Sequence, residues 1–130
     1  MKKLVLAVIM LAFSVGVNAA CDKKSLKGYY AFSFTSSNAA PSSNANSCVV
    51  LGTVFFDGKG GQNSIFSQGC GAEFGTQTNN GTYDVFANCI GFIDYPNGIS
   101  ANFVMDRAFK GGSLILSQGG SIAIGSIFKQ

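Results

Sequence analysis

VVLGTVFFDGKGGQNSIFSQ, residues 49–68, reads as two strands and the turn that joins them. Val49 to Phe56 is a nearly continuous apolar run rich in β-branched and aromatic residues, which suit a pleated, half-buried surface. Asp57-Gly58-Lys59-Gly60 supplies the acceptor side chain and the positive-φ positions of a tight turn. Gln62 to Gln68 follows as a polar strand carrying Ile65 and Phe66. Folding the chain about Lys59 sets position 48 opposite position 70, so a Cys48–Cys70 bond would staple the open end of this hairpin. The remaining pair, Cys21–Cys89, follows by elimination. In the chain-entropy description the two loops contribute about 3 and about 4 kcal/mol.

The same grammar repeats outward from this hairpin. Gly28 to Thr35 alternates with Tyr30, Phe32 and Phe34 on one face. Gly81 to Phe86 alternates around Tyr83 and Val85, and Cys89 to Tyr95 carries Phe92. Ile99 to Met105 sets Ile99, Ala101, Phe103 and Met105 on one side. Ser113 to Ser117 turns Leu114 and Leu116 inward, and Ser121 to Phe128 is read with Ile122, Ile124 and Phe128 inward and Ala123 and Gly125 opposite. Eight short strands result, separated by Pro96-Asn97-Gly98, Lys110-Gly111-Gly112 and Gly119-Gly120, with no sustained helical period between them. Short links favour neighbours in sequence as neighbours in space. The expected fold is therefore all-β, an eight-stranded antiparallel up-and-down meander barrel, which also removes exposed sheet edges. A two-sheet β-sandwich is the alternative. Two long connections are expected at the same end of such a barrel: the low-complexity, flexible polar loop 36–47 and the stretch Gly71 to Asn80.

Domain organisation starts with residues 1–19. Met1-Lys2-Lys3 precedes an apolar run, Leu4 to Val15, and Val17-Asn18-Ala19 offers small residues for cleavage, so 1–19 reads as an export signal and 20–130 as one domain. Asn18 stands where a lipid-attachment signal wants a Leu-type residue, which argues against acylation of Cys21. An even set of four cysteines suits an oxidising compartment, periplasmic or extracellular. The full chain carries a net +3, which falls to +1 without Lys2 and Lys3, so there is no footprint for nucleic acid. With no histidine and no C-x-x-C pair, neither a His-based catalytic triad nor a conventional metal site is expected, nor a cofactor. No transmembrane segment is expected after signal cleavage, and the chain is read as a monomer.

Leu26-Lys27-Gly28-Tyr29-Tyr30, Gly52-Thr53-Val54-Phe55-Phe56-Asp57-Gly58-Lys59-Gly60, Gly81-Thr82-Tyr83-Asp84-Val85 and Cys89-Ile90-Gly91 together resemble a widespread group of small exported bacterial β-barrel proteins that share G-x-Y, F-D-G-x-G, G-T-Y-x-V and C-x-G. The resemblance implies export and a barrel. More remotely, Gly28-Tyr29-Tyr30 and the eight-strand meander are similar to lipocalin and avidin-like (calycin) barrels. Those families carry Trp after the glycine, and this chain has no Trp.

The expected lumen residues include Tyr30, Phe32, Phe34, Tyr83, Phe103 and Phe128, with Phe66 and Phe92 beside them. Rings of this size, each burying about 150–250 Å², should fill most of a small barrel, leaving binding to the loop end or the outer face. Among the acids, Asp57 is a turn residue, Asp84 faces outward, and Asp94 and Asp106 are expected to pair with Arg107 or Lys110. Glu73, in the long connection beside Cys70, is the one acid singled out as a catalytic candidate. The function expected is a non-enzymatic binding or interaction module for a protein, a glycan or a small apolar ligand. An envelope-associated structural or inhibitor protein and a barrel enzyme of the allene-oxide-cyclase or dirigent kind are the alternatives.

Overall fold

A computed structural model describes residues 20–36, 48–70, 73–96, 98–118 and 121–130. The export-signal reading of 1–19 and most of the 36–47 loop lie outside them. Eight strands run β1 (Lys27–Ser36), β2 (Cys48–Asp57), β3 (Gly61–Cys70), β4 (Glu73–Val85), β5 (Ile90–Asp94), β6 (Ser100–Met105), β7 (Gly111–Gln118) and β8 (Ser121–Lys129). Each pairs antiparallel with the next, and β8 pairs with β1, so the sheet closes into a barrel in sequence order. Among the described residues no helix is long and apolar enough to cross a membrane.

The β2–β3 turn shows why the meander folds where it does. One carboxylate oxygen of Asp57 accepts the backbone N–H groups of Lys59 (2.6 Å), Gly60 (3.0 Å) and Gly61 (3.0 Å). Gly58 and Gly60 take φ of 77° and 114°, which a side chain would strain. The β6–β7 turn repeats the device. Asp106 accepts from Ala108 and Lys110 through one oxygen and from Gly111 through the other, at 2.9, 3.1 and 2.9 Å. Asp106 is thus a backbone cap rather than the ion-pair partner expected of it. The ion pair that forms at this end joins Lys23 to Asp84 at 3.6 Å.

These caps hold the carboxyls of Asp57 and Asp106 below the usual carboxylate range, chiefly through the N–H groups of Lys59 and Lys110. A carboxyl with a lowered folded-state pKa stabilises above its unfolded value, about 4. That stability is lost as pH falls through the folded value. Thermal unfolding should therefore be level from neutral pH down to about 4 and drop in more acid solution. An Asp57→Asn, Asp106→Asn double variant should show a shallower acid drop, and an unchanged drop would mean the caps do not titrate with folding.

The core lies at the end of the barrel that carries these turns. Residues 20–26 cover it. Leu26 is buried, a Cys21–Cys89 disulfide ties the segment to the β4–β5 turn, and the Tyr83 hydroxyl shares its one proton between the carbonyls of Lys23 (2.9 Å) and Leu26 (2.8 Å). The Tyr30 hydroxyl donates to Phe109 O at 2.9 Å. Burial pushes Tyr83 up to about 12, and Tyr30 upward as well, so both phenols stay neutral donors. Phe56 sits in the middle, its ring 5.5 Å from Tyr30, 4.8 Å from Tyr83 and 6.4 Å from Phe103.

Three sequence expectations are corrected. Gly71 to Asn80 is not a long connection. β4 begins at Glu73 and pairs with β3 through an unbroken ladder from Gly61↔Thr82 to Cys70↔Glu73. The residues look loop-like because both faces of this strand meet polar surroundings, solvent outside and an open cavity inside. β8 has the opposite facing: Ala123 and Ile127 are buried, whereas Ile122, Ile124 and Phe128 are 59%, 65% and 58% exposed. The inner positions opposite β1 are already filled by the Phe32 and Phe34 rings, and a Cβ on Gly125 would lie 2.8 Å from Phe34 Cδ1 and 1.9 Å from Ser33 O. Phe92 also faces outward, because Gly91 and Ile93 are the buried positions of β5. The register sets Cys48 opposite Cys70, as the turn implied, but their side chains lie outside the described residues.

Candidate functional site

The two ends of the barrel differ. The turn-capped end is packed, while the opposite end holds a cavity of about 250 Å³ open to solvent. This is the end where β1 leaves towards β2, β3 towards β4, β5 towards β6 and β7 towards β8. A void of about 10 Å³ below the cavity marks where the packed core begins.

One side of the cavity is aromatic. Phe32, Phe34 and Phe66 meet ring to ring, with centroids 5.4 Å apart for Phe32–Phe34 and 6.5 Å for Phe32–Phe66, and Val50 and Leu116 continue this side. The other side is amide-rich, formed by Gln68 from β3 and Gln77 and Asn79 from β4. Tyr95 and Ile99, in the β5–β6 connection, add to the wall. None of these side chains is charged at neutral pH, and burial pushes the Tyr95 phenol further above its ordinary value. Among the described residues no countercharge faces an ion entering here, so this part of the lining favours neutral molecules.

A line of polar side chains descends from the cavity into the core. The Tyr95 hydroxyl lies 3.2 Å from Ser64 Oγ, and Ser64 Oγ donates to Gln62 Oε1 at 2.5 Å. Among the described residues, Ser64 and Gln62 are the polar ones buried in the barrel, at 0% and 5% exposure. Gln62 Nε2 is buried without a partner. It occupies the space that a side chain on Gly81 would need, since a Cβ there would lie 2.8 Å from it. Buried polar atoms are nearly always paired, so an unpaired amide beside this chain is a position of interest.

The residues singled out in the sequence separate in the structure. Tyr30, Phe32, Phe34, Tyr83 and Phe103 all point into the barrel. Of these, Phe32 and Phe34 line the cavity, while Tyr30, Tyr83 and Phe103 belong to the packed end. Phe128 points out and takes no part. Glu73 opens β4, and its side chain lies outside the described residues. Asp22, Asp57 and Asp106 accept hydrogen bonds in turns at the packed end, away from the cavity. Sequence reasoning missed Gln62, Ser64, Gln77, Asn79 and Tyr95. A signal for the first two was present: once Phe66 is inward, a period of two places Gln62, Ser64 and Gln68 inward as well.

No family model matches the chain, and no curated protein matches it. Among solved structures the chain is similar to a de novo designed fluorescence-activating beta barrel, with a TM-score of 0.54 and 14% identity, over 83% of this chain and 96% of the other. At that identity the likeness concerns the fold.

Proposed function

We propose that this disulfide-bonded barrel is a non-enzymatic binding module that holds a small uncharged molecule in the open end of its lumen, in an oxidising compartment outside the cytoplasm. The observation that carries the reading is the asymmetry of the interior. Aromatic packing fills one end, and the other keeps a cavity of about 250 Å³ whose described lining is uncharged, with an aromatic side facing an amide side. Ligand sites share this composition, apolar walls with a few placed polar groups. The volume lies just below the ~300–1,000 Å³ of sites for drug-sized ligands, so the ligand is of one or two rings. Among the described residues the lining carries no carboxylate, amine or thiol to act as nucleophile or base, which favours binding over catalysis. The Cys21–Cys89 disulfide suits an exported chain.

The test is ligand-observed NMR with a panel of neutral one- and two-ring aromatic fragments. Saturable binding at millimolar concentration or better is expected, and it should be lost in Val50→Trp, which fills the cavity from the rim without touching the packed end. Absence of saturable binding, or binding that survives Val50→Trp in a folded protein, overturns the reading.

A further inference from the structure

The hydrogen-bond chain below the cavity has a direction, and that direction constrains the ligand. A serine hydroxyl has one proton. In Ser64 it is directed to Gln62 Oε1, at 2.5 Å. In the 3.2 Å contact between Ser64 and Tyr95, Ser64 Oγ can then only accept, so the Tyr95 hydroxyl donates. A tyrosine hydroxyl also has one proton. With that proton turned down towards Ser64, the Tyr95 oxygen offers lone pairs alone to the cavity it lines. Resting on the cavity reading above, we infer that Tyr95 is a specificity-determining acceptor, and that the ligand class is a neutral ring compound bearing an O–H or N–H donor.

The surroundings agree with this assignment. The aromatic side, Phe32, Phe34 and Phe66, accommodates the ring, and the amides of Gln77 and Asn79 can follow either donors or acceptors, so they do not choose between them. Tyr95 does choose, because the buried Gln62–Ser64 pair fixes its proton. Burying the Gln62 and Ser64 side chains below the cavity carries a penalty that a purely structural core avoids with aliphatic residues. Setting the direction of Tyr95 gives the pair a purpose.

Three near-isosteric probes test the inference on the full chain by titration: 2-naphthol (donor), 2-fluoronaphthalene (no donor) and 2-acetylnaphthalene (acceptor). Tyr95→Phe should weaken 2-naphthol about tenfold, the equivalent of one lost hydrogen bond, and leave the other two within about twofold. Ser64→Ala should release the Tyr95 proton and strengthen 2-acetylnaphthalene. If that variant does not fold, the Tyr95→Phe comparison decides alone. Equal response of all three probes to Tyr95→Phe overturns the acceptor assignment while leaving the cavity reading standing. Selective weakening of 2-acetylnaphthalene by Tyr95→Phe means the chain runs the other way, with Gln62 donating upward, and also overturns it. Binding of none of the three overturns the cavity reading and this inference together.

Discussion

Reduction of the Cys21–Cys89 disulfide, or its removal as Cys21→Ser with Cys89→Ser, should lower the unfolding free energy by about 4 kcal/mol, as expected for a cross-link closing a long loop. The bridge spans a sequence separation of 68, so it restrains more than half of the described chain in the unfolded state. It also fastens the segment that closes the packed end. Cys21 N donates to Ala87 O, and Leu26, five residues on, is fully buried beneath Tyr83. Cys89 itself has a φ of 65°, a left-handed conformation uncommon for a residue with a side chain, which the turn and the bridge together hold in place. Domains of this size have about 5–15 kcal/mol in all, so the reduced protein should be close to marginal. Guanidinium unfolding of the parent chain beside the Cys21→Ser, Cys89→Ser variant measures this. A midpoint unmoved in the variant would mean that the covering segment is held by Leu26 and the Tyr83 hydrogen bonds alone. Peptide mapping of the non-reduced protein checks the expected Cys48–Cys70 pairing in the same samples.

Gly125→Val should be nearly as damaging, with a loss of about 3 kcal/mol or outright failure to close the barrel. The reason is the seam. Gly125 lies opposite Phe34 in the β1–β8 ladder, and a Cβ there would be 1.9 Å from Ser33 O, a backbone atom that cannot move without parting the two strands. The neighbouring Ile124→Thr keeps a β-branched residue at a position 65% exposed and should change stability by no more than about 0.5 kcal/mol. The pair of substitutions reads the facing of β8 directly. Were the larger residues inward, Ile124→Thr would be the harmful change and Gly125→Val the tolerated one. Far-UV circular dichroism with thermal unfolding of both variants decides it.

The amino-acid sequence alone carried the all-β class, the meander, the closed barrel and the position of the β2–β3 turn, because each rests on local chemistry. Asp57 caps its own turn, Gly58 and Gly60 supply its dihedrals, and alternation in β1 and β6 marks Tyr30, Phe32, Phe34 and Phe103 without reference to any other strand. The tertiary structure decided what depends on neighbours. β8 shows the inner face of its small residues because β1 has already placed Phe32 and Phe34 there, a fact about two strands at opposite ends of the domain sequence. β4 is a strand despite its run of Thr, Gln and Asn, because β3 offers it a full ladder and the cavity keeps its inner face wet. The same closure creates the candidate site. Gln62 and Ser64 lie on β3 and Tyr95 in the β5–β6 connection, and they become a directed hydrogen-bond chain only when these meet inside the barrel. Period and turn chemistry are written locally. Which face is filled, and where the filling stops, follows from how the volumes of all eight strands fit around one axis.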